Sequence, residues 1–405
     1  MIGERLRQAR LRAGLTQEEV VGKLAALMGI SLTKAGLSKY EKGGSLPKPS
    51  LLMALARVLG VRGQYFLAEP RVQVEWLAFR KSSSLGKKEQ ERIQALALAI
   101  VENQVWLQEK MFPGGKSSFP KSKRIGKPED AERAAEALRG QWKLGEQPIE
   151  SVTQTIEDRG GVVVECTVKE NEFHGLAGWA SGKYPVLVVN GAASDDRKRF
   201  SLAHELGHLA MECEGVTEKE EEDLAHRFAG AFLVPHAVVI RELGDRRRSL
   251  SFHELALLKQ KHGLSMQAWI HRARDLGVID EGHYKSLFRQ FSAKGWRKDE
   301  PVRLVRSEKP TRLQLMTLRA LAEGIVTPEK AEALCPGLGT REAAEAGTRS
   351  RPSRITATEL LKRPLAERKW ALAKAAAALE KDYREGGDLR GFDAFGEEDL
   401  HDESD

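Results

Sequence analysis

The sequence predicts an α+β multidomain protein. An all-helical N-terminal domain is followed by a small central α+β domain and a helical C-terminal region that ends in an acidic tail. Three observations lead there. At 405 residues the chain is too long for one ordinary core, so two to four domains are expected. Apolar residues recur at helical spacing through the first 59 residues but gather into short strand-like runs between 151 and 190. Charge is polarised: residues 1–124 carry 22 Lys and Arg against 10 acids, whereas residues 385–405 carry nine acids against one Arg. A basic head suits an anionic partner, most simply nucleic acid. An acidic tail suits a basic partner or solubility.

The first predicted helix, residues 2–13, turns Leu6, Ala9 and Ala13 inward and its arginines outward, and Gly14 closes it. Thr16 to Glu19 reads as a capping box that starts a second helix through Val20, Val21 and Leu24. A third helix spans residues 33–41, and a fourth runs from Ser50 to Leu59 and stops at Gly60.

The set R-x-x-x-G-L-T-Q-E-E, L-S-K-Y-E-K-G and P-S-L-L-M-A-L-A-R-V-L-G-V resembles the Xre/Cro-CI helix-turn-helix over residues 2–68. The resemblance implies that the third helix enters the major groove of double-stranded DNA. Lys34, Ser38 and Lys39 would then face DNA and Gln17 would hold phosphate, while Leu37 and Tyr40 pack the core. It also implies a homodimer on a two-fold operator.

Residues 71–128 read as a connector: a strand-like Val72 to Trp76, a helix from about Lys87 to Lys110, and a basic Pro/Gly/Ser/Lys linker. The helix carries Ile93, Leu96, Ile100, Val105 and Leu107 on an apolar face that needs a partner. A helix at 129–140 opens the next domain, followed by a helix at 152–159 and strands at 162–168, 176–180 and 185–189. Together the strands suggest a small, partly antiparallel sheet. Trp179 and Val188 are candidates for a sheet edge at which an extended peptide would add as another strand, although burial in the core is the expected fate of each.

The organising stretch is His204-Glu205-Leu206-Gly207-His208, an H-E-x-x-H pattern in helix-forming sequence. Histidines four residues apart stand on one helix face, so both imidazoles reach one ion, and Glu205 suits a carboxylate that moves a water proton. A second helix follows from Glu218 to Leu233, acidic in its first turn and stopped by Pro235.

R-F-x-L-A-H-E-L-G-H followed by E-x-x-A-H-R-F-A-G-A-F-L-x-P resembles the ImmA/IrrE family of minimal zinc-peptidase-like domains. The resemblance implies a zincin-like fold and Zn²⁺ as cofactor. It makes His204, His208 and Glu222 the metal ligands, Glu205 the catalytic base and His226 a supporting partner in the second layer of the site. Glu218 to Glu221 read as a solvated helix start, and Cys213 as packing.

Residues 249–279 resemble a further helix-turn-helix, and helices at 313–323 and 328–334 complete that region. Beyond a linker, T-A-x-E-L-L-x-x-P-L-A-E-R, D-Y and L-x-G-F-D-A-F-G-E-E-D-L are similar to the toxin-wrapping tail of certain antitoxins. The expected organisation is 1–70 DNA-binding, 71–128 connector, 129–245 metallopeptidase, 246–334 helical, 335–354 linker, and 355–405 antitoxin-like tail. Three scattered cysteines without a C-x-x-C pair, no apolar run of membrane length and no signal peptide point to a cytoplasmic protein and exclude a membrane partner. Two functions follow. The first is a DNA-bound zinc endopeptidase that cleaves a repressor or an antitoxin. The alternative is a repressor and antitoxin that neutralises a toxin, with a structural or latent zinc domain.

Overall fold

This computed structural model describes residues 2–338 apart from 70–71, 82–84, 115–118, 120–122 and 169–172. The antitoxin-like segment 355–405, and nearly all of the linker before it, lie outside the described residues.

The head holds α1 (Ile2–Arg12), α2 (Gln17–Met28), α3 (Lys34–Glu41) and α4 (Pro49–Leu59), closed by a 3₁₀ turn, Gly63–Leu67. Leu6, Val20, Leu24, Leu37, Leu55 and Phe66 are wholly buried at its centre. The Thr16–Glu19 capping box is formed and starts α2. Ala13 is exposed rather than inward, because Gly14 adopts φ +69° and ends the helix just before it can pack. At Gly3 an added Cβ would lie 2.3 Å from the Tyr40 carbonyl oxygen, so α1 and α3 cross here in near-backbone contact.

The central body follows as β1 (Val74–Lys81), α5 (Lys87–Met111), β2 (Lys123–Ile125), α6 (Pro128–Gln141), α7 (Val152–Asp158), β3 (Val162–Cys166), β4 (Phe173–Ala180), β5 (Tyr184–Asn190), α8 (Asp195–Ala210), β6 (Met211–Cys213), α9 (Glu218–Leu233) and α10 (His236–Leu243). The main sheet has the order β1-β4-β5-β3, antiparallel except for β3 beside β5. Alternation with period two sends Val163, Ala177, Leu187 and Val189 to the core shared with α8 and α9. Val162, Val164, Leu176, Val186 and Val188 face the opposite way, against Ile93, Ala97, Val101 and Val105 of α5. The apolar face of the connector helix is thus spent within its own chain, on this sheet and, at Leu107, on the C-terminal helices.

Two expectations change. Val188 lies in the interior strand β5, and Trp179 lies in β4, which β1 covers; among the described residues the outer strands are β1 and β3. The connector supplies a strand that pairs with a segment about a hundred positions further on, and local periodicity carries no sign of such pairing.

α11 (Phe252–His262), α12 (Met266–Asp275) and α13 (Glu281–Ala293) share one continuous apolar core with α8 and α9, through Leu255, Met266, Trp269, Ile270 and Phe291. α14 (Arg312–Ala322) and α15 (Pro328–Leu334) instead pack Met316, Ala320 and Leu334 against Leu107 of α5.

Candidate metal centre

α8 is amphipathic in an unusual sense, because the side chains it buries include polar ones. Leu202, Ala203 and Leu206 anchor it, and His204 and Glu205 are fully buried beside them. Gly207 permits the crossing with α9, since a Cβ there would stand 3.1 Å from the Phe228 ring. α9 begins at its own capping box, Thr217 with Glu220, which fixes the phase of the helix and hence which acids face α8.

That phase selects Glu222. Its carboxylate lies 3.3 Å from His204 Nε2 and 3.5 Å from His208 Nε2, and the two imidazole nitrogens are 3.1 Å apart. A tetrahedral ion held at about 2.0–2.2 Å would set its donor atoms about 3.3–3.6 Å from one another. Two imidazoles and one carboxylate at this spacing fit a zinc-like ion and leave a fourth position open. His204, Glu222 and His226 form an overlapping set whose donors lie within 4.8 Å of one another. The tighter triangle with His208 matches the tetrahedral edge better. His226 sits one turn along α9, its Nδ1–H donating to the Glu222 carbonyl oxygen at 2.7 Å, and its ring centroid is 4.6 Å from that of His204. This bond fixes the tautomer and leaves Nε2 turned to the site.

Glu221 plays a part that the acidic run concealed. Its carboxylate approaches His208 Nδ1 at 3.4 Å, the geometry of a carboxylate that orients a ligand imidazole. Burial lowers the His208 pKa, but the Glu222 hydrogen bond and the charges of Glu205, Glu222 and Glu221 outweigh it and raise the value. Three acids surround two histidines, so the site favours a cation. Only the knowledge that residue 221 lies on the α8 side of α9 could have separated it from its exposed neighbours.

Glu205 is set by β4. An added Cβ at Gly175 would lie 2.3 Å from Glu205 Oε1, so only glycine lets the strand pass over this carboxylate. Next to it His174 lines a cavity of about 960 Å³, together with Phe200, Ser201 and His226 on one side and Gln267 and His271 of α12 on the other. Burial and the neighbouring Arg274 hold the His271 pKa down to about 4, so this wall of the cleft is a neutral imidazole.

Two buried clusters keep α8 and α9 in place. Arg199, on α8 before His204, pairs with Glu308; both side chains are fully buried. Glu308 also accepts the backbone N–H groups of Val152 and Thr153 at 3.0 and 2.9 Å, which caps α7. Glu132 of α6 joins Arg227 of α9 to Arg272 of α12.

The nucleic-acid candidates lie in the head. Lys34 and Lys39 are exposed on α3, and Ser38 is half-buried. Lys34 contacts Glu18 at 2.7 Å, both side chains largely solvated. The Gln17 amide donates to Glu41 at 2.8 Å, and Glu41 also receives Arg10 at 2.6 and 2.9 Å. The surface of α3 is thus open, while Gln17 is engaged at the α2–α3 corner.

Residues 156–274 match the IrrE N-terminal-like domain, a peptidase family, and residues 2–64 match a helix-turn-helix domain. The chain thus carries a helix-turn-helix domain at its head and an ImmA/IrrE-type peptidase-family domain further on, in agreement with the resemblances seen in the sequence. The peptidase match runs from α7 into α12 and so includes the helices that wall the cavity. A search of the curated proteins found no match. Among the described residues no helix is long and apolar enough to cross a membrane.

Proposed function

We propose that the protein is a transcriptional regulator whose zinc-dependent peptidase domain hydrolyses a peptide bond in another regulatory protein. The observation that carries the reading is the placement of Glu205. It is fully buried beside the His204, His208 and Glu222 triangle, and a site that only had to bind metal would have no use for a carboxylate there.

His204, His208 and Glu222 would hold the ion. Bound zinc supplies Lewis acidity, which polarises the peptide carbonyl and lowers the pKa of water. Glu205 takes the proton from the attacking water and delivers it to the leaving amine. Glu221 orients His208, and His226 keeps its ring against His204 through its bond to the Glu222 carbonyl. Gly175 keeps the strand close over Glu205. The cavity walled by α8, α9 and α12 receives side chains of the substrate.

In this reading the head acts as a homodimer on a two-fold operator, in the cytoplasm, with α3 in the major groove. Glu205→Gln should retain zinc and operator binding while lowering cleavage by about 10²–10⁴-fold, the usual contribution of a positioned acid–base group. The check is the intact mass of whatever copurifies: a partner whole with the variant but cut with the wild type names the substrate. Loss of zinc from Glu205→Gln would overturn the assignment of roles. The same uncut partner with both proteins would favour a repressor and antitoxin with a latent zinc domain.

A further inference from the structure

The catalytic reading places the reacting bond beside β4, because Gly175 of that strand lies against Glu205 and His174 lines the cleft. An extended peptide gains affinity there by pairing its backbone with the free edge of a strand. In this chain that edge is taken. β1 runs antiparallel to β4, with Phe79 opposite Leu176 and Arg80 opposite Gly175, so the backbone next to the catalytic carboxylate belongs to the connector.

β1 differs from the other strands of its sheet. β4 pairs with β5 over six consecutive residues, and β3 with β5 over five, without interruption. The β1–β4 ladder is broken twice, between Trp76 and Phe79 and between Arg80 and Lys81. Both irregularities fall in the half of the strand that approaches Gly175, and each removes regular ladder bonds there. β1 also belongs to neither family match: the helix-turn-helix ends at 64 and the peptidase domain starts at 156. The α8-side core takes nothing from it, and the α5-side core takes only the half-buried Val74 and Trp76 at its far end from Gly175.

We infer that β1 is a displaceable internal competitor: it holds the backbone-pairing edge of β4 where substrate would lie, and substrate binds by exchanging with it. The inference rests on the peptidase reading and specifies how that site is regulated. The exchange reaches the head, because β1 starts close to the residues that Arg5 grips. The Arg5 guanidinium donates to the Ala68 and Glu69 carbonyls at 3.0 and 2.7 Å and to Glu102 of α5 at 2.7 Å. Strand release therefore pulls on a clamp shared by α1 and α5.

The test uses the full chain loaded with zinc and an extended N-acyl tripeptide hydroxamate as probe. Hydrogen exchange is read at residues 74–81 beside the probe's Kd. In the wild type, probe binding should strip protection from 74–81 and leave β5 and α5 unchanged. Phe79→Cys with Leu176→Cys places a disulfide between facing strand positions. Oxidation should weaken the probe by about tenfold or more, and reduction of the same protein should restore it, which controls for damage to the fold. Arg80→Pro, which lacks the N–H, should tighten the probe by a similar factor. Equal affinity in oxidised and reduced forms, with 74–81 still protected, overturns the inference and leaves the peptidase reading standing. Failure of the probe to bind even Arg80→Pro with zinc in place overturns both.

Discussion

The head and the metal centre place their working side chains in opposite surroundings. On α3, Lys34 and Lys39 stand in solvent, and the ion pair Lys34 forms with Glu18 is exposed on both sides. On α8 the working groups His204, Glu205 and His208 are buried, and the ion pair that anchors the helix, Arg199 with Glu308, has no exposure at all. Exposed charges act through long-range attraction, are screened by salt and tolerate change. Buried charges are desolvated, so each depends on its partner and on the helices that bring the partner. The two halves of one regulator should therefore respond very differently to loss of a single charge.

The largest effect is expected where burial is deepest. Glu308→Ala leaves the Arg199 guanidinium buried without its carboxylate and uncaps α7, and should lower stability by about 3–5 kcal/mol. Calorimetry on the variant checks this; a change of less than about 1 kcal/mol would mean that the pair behaves like a surface one. A middle effect is expected at Glu221, which is partly exposed and touches the metal site only through His208. Glu221→Gln should weaken zinc affinity by about 10–100-fold without unfolding, as measured by competition with a chelator. Unchanged affinity would return Glu221 to the solvated helix start. The smallest effect is expected at Lys39→Ala, which should weaken operator and random DNA alike. It should also reduce the slope of log K against log salt by about one. A slope that does not move would place α3 away from the phosphates.

The same contrast explains what could be read from the sequence. The head and the α8–α9 pair were legible because their signals are local: Thr16 with Glu19, the H-E-x-x-H spacing, and the E-x-x-A-H-R-F-A-G pattern whose family resemblance implies Glu222 as the third ligand. The expected strands at 162–168, 176–180 and 185–189 correspond to β3, β4 and β5 within a few residues. What stayed hidden depends on pairs far apart in the chain. Glu308 meets Arg199 across 109 positions, and Arg80 pairs with Gly175 across three intervening helices, α5, α6 and α7. Glu221 and Glu222 are indistinguishable as residue types, and only the crossing of α9 over α8 gives them different tasks. Gly175 showed no pattern of its own, because its value lies in the carboxylate that fills the space a side chain would need.

The attachment of β1 at both ends carries a consequence for what can act on this protein. A segment of the same chain joined to both the head and α5 presents itself to β4 at an effective concentration of roughly millimolar, as an intramolecular competitor does. A free peptide at micromolar level competes poorly against such a neighbour, whatever its sequence. The partner that succeeds must also be held locally, by a second contact with this chain or by a place beside it on the same DNA. Selectivity would then come from co-localisation as much as from the fit of the cleft.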